Sequence, residues 1–387
     1  MELIAPVGNH AMLIAAIGAG ADAVYLGIKG VNMRDSAANF EIRELSEVVK
    51  KAHANNVKVY LTVNTIVFEH ELAKIKHILL TAKRAKVDAI IAWDLAVIKL
   101  ASESGLKVHL STQASVSNSV AINEYKKFGV EKVVLARECT LNEIKSISKQ
   151  TDVIIEAFAH GAMCVAESGR CFLSQFLYGK SANRGKCIQP CRREYIIEDV
   201  ETKKQLKLEN NFILSAKDLC TIQFIDKLKS AGIGALKIEG RSRSPEYVKT
   251  VVGVYRKAMD YLEDGEFDKH KDELENKLKE VYNRGFSEGF YMGRPIEEFW
   301  NQPGGQSGYR KEYVGQILNY FQKAKAFHAV VHTGKLVAGD VLFIIGDTTG
   351  VVEITLDEIK KEGKTFTAPC EIRLRKGDKL YKRIKNN

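Results

Sequence analysis

No apolar run in these 387 residues is long enough to cross a bilayer. The N-terminus, MELIAPVGNH, has neither a basic region nor a long apolar stretch, which argues against a signal peptide. The expectation is a cytoplasmic protein with no membrane partner. Motifs of several common chemistries are missing as well. No G-x-G-x-x-G follows the first strand candidate, which weakens dinucleotide binding. H-E-x-x-H does not occur, so a zincin helix is absent. No two cysteines are spaced C-x-x-C, which disfavours a structural zinc knuckle. There is no low-complexity segment.

What is present is ordinary globular composition, 45% hydrophobic and 27% charged, with length for one large domain and a small one. The formal net charge of +10 favours a polyanionic partner such as RNA. Seven cysteines in a reducing compartment point to metal binding or redox work rather than disulfides. Cys139, Cys220 and Cys370 stand alone and read as buried thiols.

The first three quarters alternate β-branched runs with helical patterns, which implies a parallel sheet with right-handed crossovers. Nine strand candidates arise: 3–5, 23–26, 57–63, 89–93, 108–111, 132–135, 153–157, 212–214 and 235–238. A closed (β/α) barrel of the TIM type over residues 1–300 is favoured, with a doubly wound open sheet as the alternative. Nine is one too many for such a barrel, so one candidate lies outside it or the sheet is irregular. Polar residues cluster where the candidates end: Asn9, Asn64, Asp94, Ser111–Gln113, Arg137, Glu156, His160, Glu239 and Arg241. In a barrel those ends form the active-site face. Residues 160–210 interrupt the rhythm as a long insertion, with a hairpin expected from 195–200 and 205–208. Beyond a Gly/Pro-rich linker, residues 313–387 read as a small antiparallel β-barrel. Its strands are expected at 314–318, 326–331, 341–345, 350–354 and 371–374. Its basic tail, with Arg373, Arg375, Lys376, Lys379, Lys382, Arg383 and Lys385, is either a solvated edge or an RNA-contacting face.

The stretch EAFAHGAMCVAESGRCFLSQFLYGKSANRGKCIQPCRR, Glu156 to Arg193, holds four of the seven cysteines: Cys164, Cys171, Cys187 and Cys191. Their spacings, C-x6-C, C-x15-C and C-x3-C, favour an iron–sulfur cluster over zinc, with zinc kept as the alternative. Arg170, Lys180, Arg184, Lys186, Arg192 and Arg193 bring positive charge that offsets thiolates or receives an anionic substrate. Glu156, His160 and the cysteines also permit, on paper, a Cys–His nucleophile or a Glu–His metal site.

The run EAFAHGAMCVAESGRCFLS resembles the signature of the collagenase-like peptidases, peptidase family U-thirty-two. The matching positions are Glu156, Phe158, Gly161, Ala162, Cys164, Gly169, Cys171 and Ser174. APVGN, ADAVYLG, VNT, STQAS, NRGKC-x3-CR and KIEGRSRSPEYV look like further blocks of that family. The family name denotes a protease. Its better-understood members resemble oxygen-independent hydroxylation proteins with a [4Fe–4S] cluster, acting on tRNA, ribosomal RNA or a quinone precursor. The resemblance implies a tRNA hydroxylase converting the wobble uridine to 5-hydroxyuridine, with peptidase or collagenase activity as the alternative. It implies cluster ligation by Cys164, Cys171, Cys187 and Cys191, with Cys220 the weaker candidate for the fourth place. Prephenate is implied as a small co-substrate, and a related family member or a second copy as a possible oligomeric partner. The expected catalytic residues are Glu156, His160, Glu239 and Arg241. Those expected to bind substrate are Asn64, Gln113, Arg137, Arg184 and Arg243.

Overall fold

The computed structural model describes all residues except 36, 207–211, 297 and 387. Seven strands open the chain: β1 (Glu2–Val7), β2 (Ala23–Gly27), β3 (Lys58–Thr62), β4 (Ala89–Ala92), β5 (Val108–Leu110), β6 (Val130–Val134) and β7 (Ile154–Ala162). They pair in parallel in chain order. The insertion contributes a two-strand hairpin, β8 (Ile197–Glu198) with β9 (Gln205–Leu206), and then β10 (Asp218–Cys220). Strand β11 (Ala235–Ile238) pairs in parallel with both β7 and β1 and closes an eight-stranded barrel. Residues 207 and 208 of the expected hairpin, and the expected end of the insertion at 210, lie outside the described residues.

The surplus strand candidate, 212–214, is a turn with Phe212 buried. The sheet is joined instead by β10, antiparallel to β7 and outside the ring, which pairs in turn with β12 (Phe286–Ser287). Polar residues at several strand ends turn out to be helix caps. Asn9 accepts from the Met12 N–H and Asp94 from the Ala96 N–H, so each satisfies a donor that the helix itself leaves free.

The barrel strands are apolar on both faces because helices cover the outside, which is why they read as continuous runs rather than alternating ones. The inside is not wholly apolar. Glu2, Tyr60, Lys132, Glu156 and Lys237 form a polar column within it. Lys132 bonds Glu2, Tyr60 donates to Glu2 at 2.5 Å, and Lys237 reaches Glu156 at 2.6 Å.

The C-terminal sheet holds β13 (Tyr309–Phe321), β14 (Ala326–Val331), β15 (Val341–Gly346), β16 (Gly350–Thr355), β17 (Lys360–Glu362), β18 (Thr365–Pro369) and β19 (Lys379–Lys385). All neighbours are antiparallel in the order β16-β15-β19-β13-β14-β18-β17, around a separate core. Its end strands β16 and β17 are not paired with each other. The strand expected at 371–374 is a loop that plugs Leu374 into that core; the sheet takes β18 and β19 instead. Part of the basic tail is structural. Arg383 bonds Glu280 at 2.9 Å and Glu353 at 2.6 Å and lies 3.6 Å over the Tyr309 ring, and Lys382 pairs with Asp340.

Candidate functional site at the barrel mouth

Residues spaced by two along a strand share one face. Lys237, Glu239 and Arg241 continue β11 with that spacing and all three line a pocket at the C-terminal mouth of the barrel. Its wall is completed by Tyr25, Arg34, Thr62, Asn64, Ser111–Gln113, Arg137 and Phe158. Of the nine residues expected to act on or bind substrate, the pocket gathers Asn64, Gln113, Arg137, Glu239 and Arg241.

Their placement is specific. Asn64 accepts from the Met33 N–H at 3.2 Å and reaches Ser111 and Gln113 at 3.5 Å each. Arg241 donates to the Thr62 hydroxyl at 3.2 Å. Its guanidinium passes so close to Gly27 that a Cβ there would stand 2.4 Å from it. Arg137 lies 3.9 Å over the Phe158 ring and donates to the Ala162 carbonyl at 3.1 Å. Arg34 pairs with Glu239 at 3.3 Å. Burial pushes the Glu239 carboxyl up, but Arg34, Arg243, Arg137 and Arg241 outweigh it and hold the carboxylate below its ordinary range. Burial lowers Arg241 to about 10. Four cations against one carboxylate leave the pocket wall positive, suited to an anionic ligand.

The other four stand elsewhere. Glu156 is fully buried below the pocket, held by Lys237 at 2.6 Å and near Lys132 at 3.9 Å. His160 points away from the pocket. Between the Lys237↔Phe158 and Ile238↔His160 pairs, β7 carries one extra residue, and such a bulge reverses the inward–outward alternation beyond it. The imidazole therefore lies among Tyr247, Tyr255 and Phe286, and burial, helped by Arg243, lowers its pKa to about 3. Arg184 is engaged with Glu71, its Nη1 2.7 Å from Oε2, and clamps the insertion to the loop after β3. Arg243 sits 3.6 Å from Asp218 and stacks on Tyr282 at 3.9 Å.

Arg34, Tyr25, Thr62 and Lys237 are pocket residues that the sequence reading did not select. Lys237 was accessible from its spacing of two before Glu239. Arg34 was not, because it comes from a loop 205 positions away from its partner Glu239.

The insertion folds over this mouth. Cys164, Cys171, Cys187 and Cys191 all line a second cavity, with Ala182, Gly185, Pro190 and Arg192 between them. Met33, Arg34, Cys164 and Gly169 line both cavities, so the two adjoin. The backbone N–H groups of Leu173 and Gln189 lie 3.4 Å from the sulfurs of Cys171 and Cys187. Burial raises the Cys191 thiol, Arg192 opposes it, and Cys164, Cys187 and Cys171 raise it further. Gly185 has φ +78° and a Cβ there would stand 2.2 Å from the Asn32 carbonyl. That close approach seats the insertion against the β2–α loop. Among the described residues no three His, Cys, Asp or Glu side chains converge tightly enough for a single metal ion. As donors, four thiols around one cavity with N–H groups aimed at sulfur fit the ligand set of an iron–sulfur cluster. Cys220 is not part of it. It is buried on β10, 4.0 Å from the Tyr255 hydroxyl, and burial pushes its thiol up to about 12.

The sequence pattern of Peptidase family U32 matches residues 8–301, the barrel and its insertion. The chain belongs to peptidase family U32. Among U32 relatives, a protein named collagenase from Porphyromonas gingivalis (strain W83) is 40% identical, covering 98% of this chain and 97% of its own length. The tRNA hydroxylation protein P1 of Bacillus subtilis is 38% identical over 82% of this chain and 77% of its own length. The 23S rRNA 5-hydroxycytidine C2501 synthase of Escherichia coli is 36% identical over 68% of this chain and 40% of its own length. U32 relatives thus carry names of two activities, peptide cleavage and RNA hydroxylation. No helix among the described residues is long and apolar enough to cross a membrane.

Proposed function

We propose that this protein hydroxylates an RNA base, with the wobble uridine of tRNA as the target, using an iron–sulfur cluster held by Cys164, Cys171, Cys187 and Cys191. The observation that carries the reading is the adjacency of the two cavities: four thiols line one, a positive pocket forms the other, and Cys164 belongs to both. The relatives named for tRNA and rRNA hydroxylation support it. When bound, such a cluster supplies one-electron redox chemistry. The chain's own part is to receive an unstacked base, since base chemistry needs the base out of the helix. Asn64 and Gln113 offer amide groups to a base edge, and Arg34, Arg137 and Arg241 offer charge to an anionic co-substrate, for which prephenate is the candidate.

The Cys–His and Glu–His sites that peptide cleavage would use are not assembled around His160 and Glu156. The imidazole that would activate a cysteine faces aromatic rings, and the Glu156 carboxylate is taken by lysine.

The test is mass spectrometry of tRNA nucleosides from a deletion strain complemented with wild-type or variant genes. We expect 5-hydroxyuridine to vanish on deletion and to stay absent with Cys164→Ser or Cys187→Ser. Cys220→Ser should restore it. Anaerobically purified wild-type protein should carry iron and sulfide. Unchanged 5-hydroxyuridine on deletion, or iron-free protein, would overturn the reading.

A further inference from the structure

The cysteine insertion presents an unusual outer face. Phe176 is 83% exposed and Phe172 62%, although both follow closely on Cys171. Phe172 precedes and Phe176 lies within the short helix Leu173–Tyr178, and their ring centres stand 5.9 Å apart with planes inclined at 48°. Tyr178, 41% exposed, carries the Arg193 guanidinium 4.6 Å over its ring. Leu173 and Ser174 of the same helix line the cysteine cavity on the inside. The face therefore borders the candidate site.

Charge distinguishes what such a face would bind. From Cys164 to Arg193 there are six basic residues and one acidic, Glu167. Glu167 is paired with Arg170, Arg184 with Glu71, and Arg192 is turned inward to the Ser215 hydroxyl. Lys180, Lys186 and Arg193 remain exposed, and none of the three pairs with a described carboxylate. A second copy of this chain would bring the same positive charge against it. A nucleic acid brings phosphates for the cations and base faces for the rings.

We propose that this aromatic, basic face is the platform on which single-stranded RNA lies while one of its bases enters the barrel mouth. The inference rests on the RNA reading above and assigns the surface that serves it. Exposed rings stack on any unpaired base, whereas a duplex keeps its base faces covered. Lys180, Lys186 and Arg193 are placed to track the backbone beside those rings.

The experiment measures the affinity of the full chain for a fluorescein-labelled single-stranded RNA 15-mer and for a duplex of the same length, across salt. Wild type should prefer the single strand. Phe176→Ala should weaken that binding on the order of tenfold, and Phe172→Ala/Phe176→Ala further, with the salt slope kept. Lys180→Ala/Lys186→Ala should lower the slope of log affinity against log salt by about 1.4, from about 0.7 per phosphate contact. Thermal unfolding checks that each variant is folded, and Phe176, 83% exposed and outside the lining of the cysteine cavity, is the less disruptive of the two rings to remove. Unchanged single-strand affinity in the phenylalanine variants overturns the proposal, as does an equal loss for duplex and single strand. A wild-type dimer that Phe176→Ala makes monomeric, with RNA affinity intact, assigns the face to a second copy instead. The readout is binding alone. Loss of RNA affinity with no 5-hydroxyuridine in wild-type cells would keep the platform and reject the hydroxylase reading, and the reverse result would do the opposite.

Discussion

Lys237 and Glu156 face each other inside the barrel, Nζ to Oε1 2.6 Å, with both side chains buried. The pair forms the floor under the candidate pocket, because Lys237 lines it while Glu156 does not. Removing one member of a buried pair strands the other charge, at a cost of about 3–5 kcal/mol. Lys132, 3.9 Å from Glu156, partly compensates. Lys237→Met should therefore destabilise by about 3 kcal/mol, and Glu156→Leu/Lys237→Met should recover most of it, as read from urea unfolding.

His160 gives a stability that depends on pH. Its folded pKa, lowered to about 3 by burial, lies below the ordinary value of about 6.5. The unfolded chain therefore takes up the proton first, and stability is lost as pH falls from about 6.5 toward 3. Between pH 7 and pH 5 wild type should lose about 2 kcal/mol more than His160→Gln, measured by chemical denaturation at both values. A pH dependence identical in the variant would contradict the buried neutral imidazole.

The Arg184–Glu71 clamp holds the insertion to the barrel. Arg184 lowers the Glu71 carboxyl to about 2 through its hydrogen bond, against some burial. Arg184→Met should let the insertion open locally. Trypsin should then cut after Lys180, Lys186 or Arg193 about tenfold faster than in wild type, since cleavage follows the population of the open form.

Gly161 and Gly179 both adopt positive φ, +108° and +63°, but their surroundings differ. A Cβ at Gly161 would stand 2.5 Å from the Glu239 carbonyl, while nothing lies within 4 Å of one at Gly179. Gly161→Ala should cost more than about 2 kcal/mol, adding a clash to the backbone penalty, and Gly179→Ala only about 1 kcal/mol. Thermal denaturation of the two variants side by side decides it.

Much of the barrel was legible because its strands are buried on both faces, and continuous β-branched runs separated by helical periods have few other meanings. The candidate at 212–214 failed for a related reason. A short apolar run marks burial, and Phe212 is buried, but burial does not require a strand. Asn9 and Asp94 misled in another way: a polar residue between a strand and a helix is as useful for capping as for a site.

Local order along the chain determined the strand–helix alternation, the cysteine spacings, the positive insertion and the family to which the chain belongs, since each is a property of neighbouring residues. Only the tertiary structure decided which side chains meet. A single extra residue in β7 turned His160 outward from the site while leaving Phe158 inside it. Closure of the barrel brought Arg34 to Glu239, and ion pairing withdrew Arg184 and Arg383 from the surface charge that composition had counted. Direction and pairing are set by contacts between distant segments, and those contacts exist only once the barrel has closed.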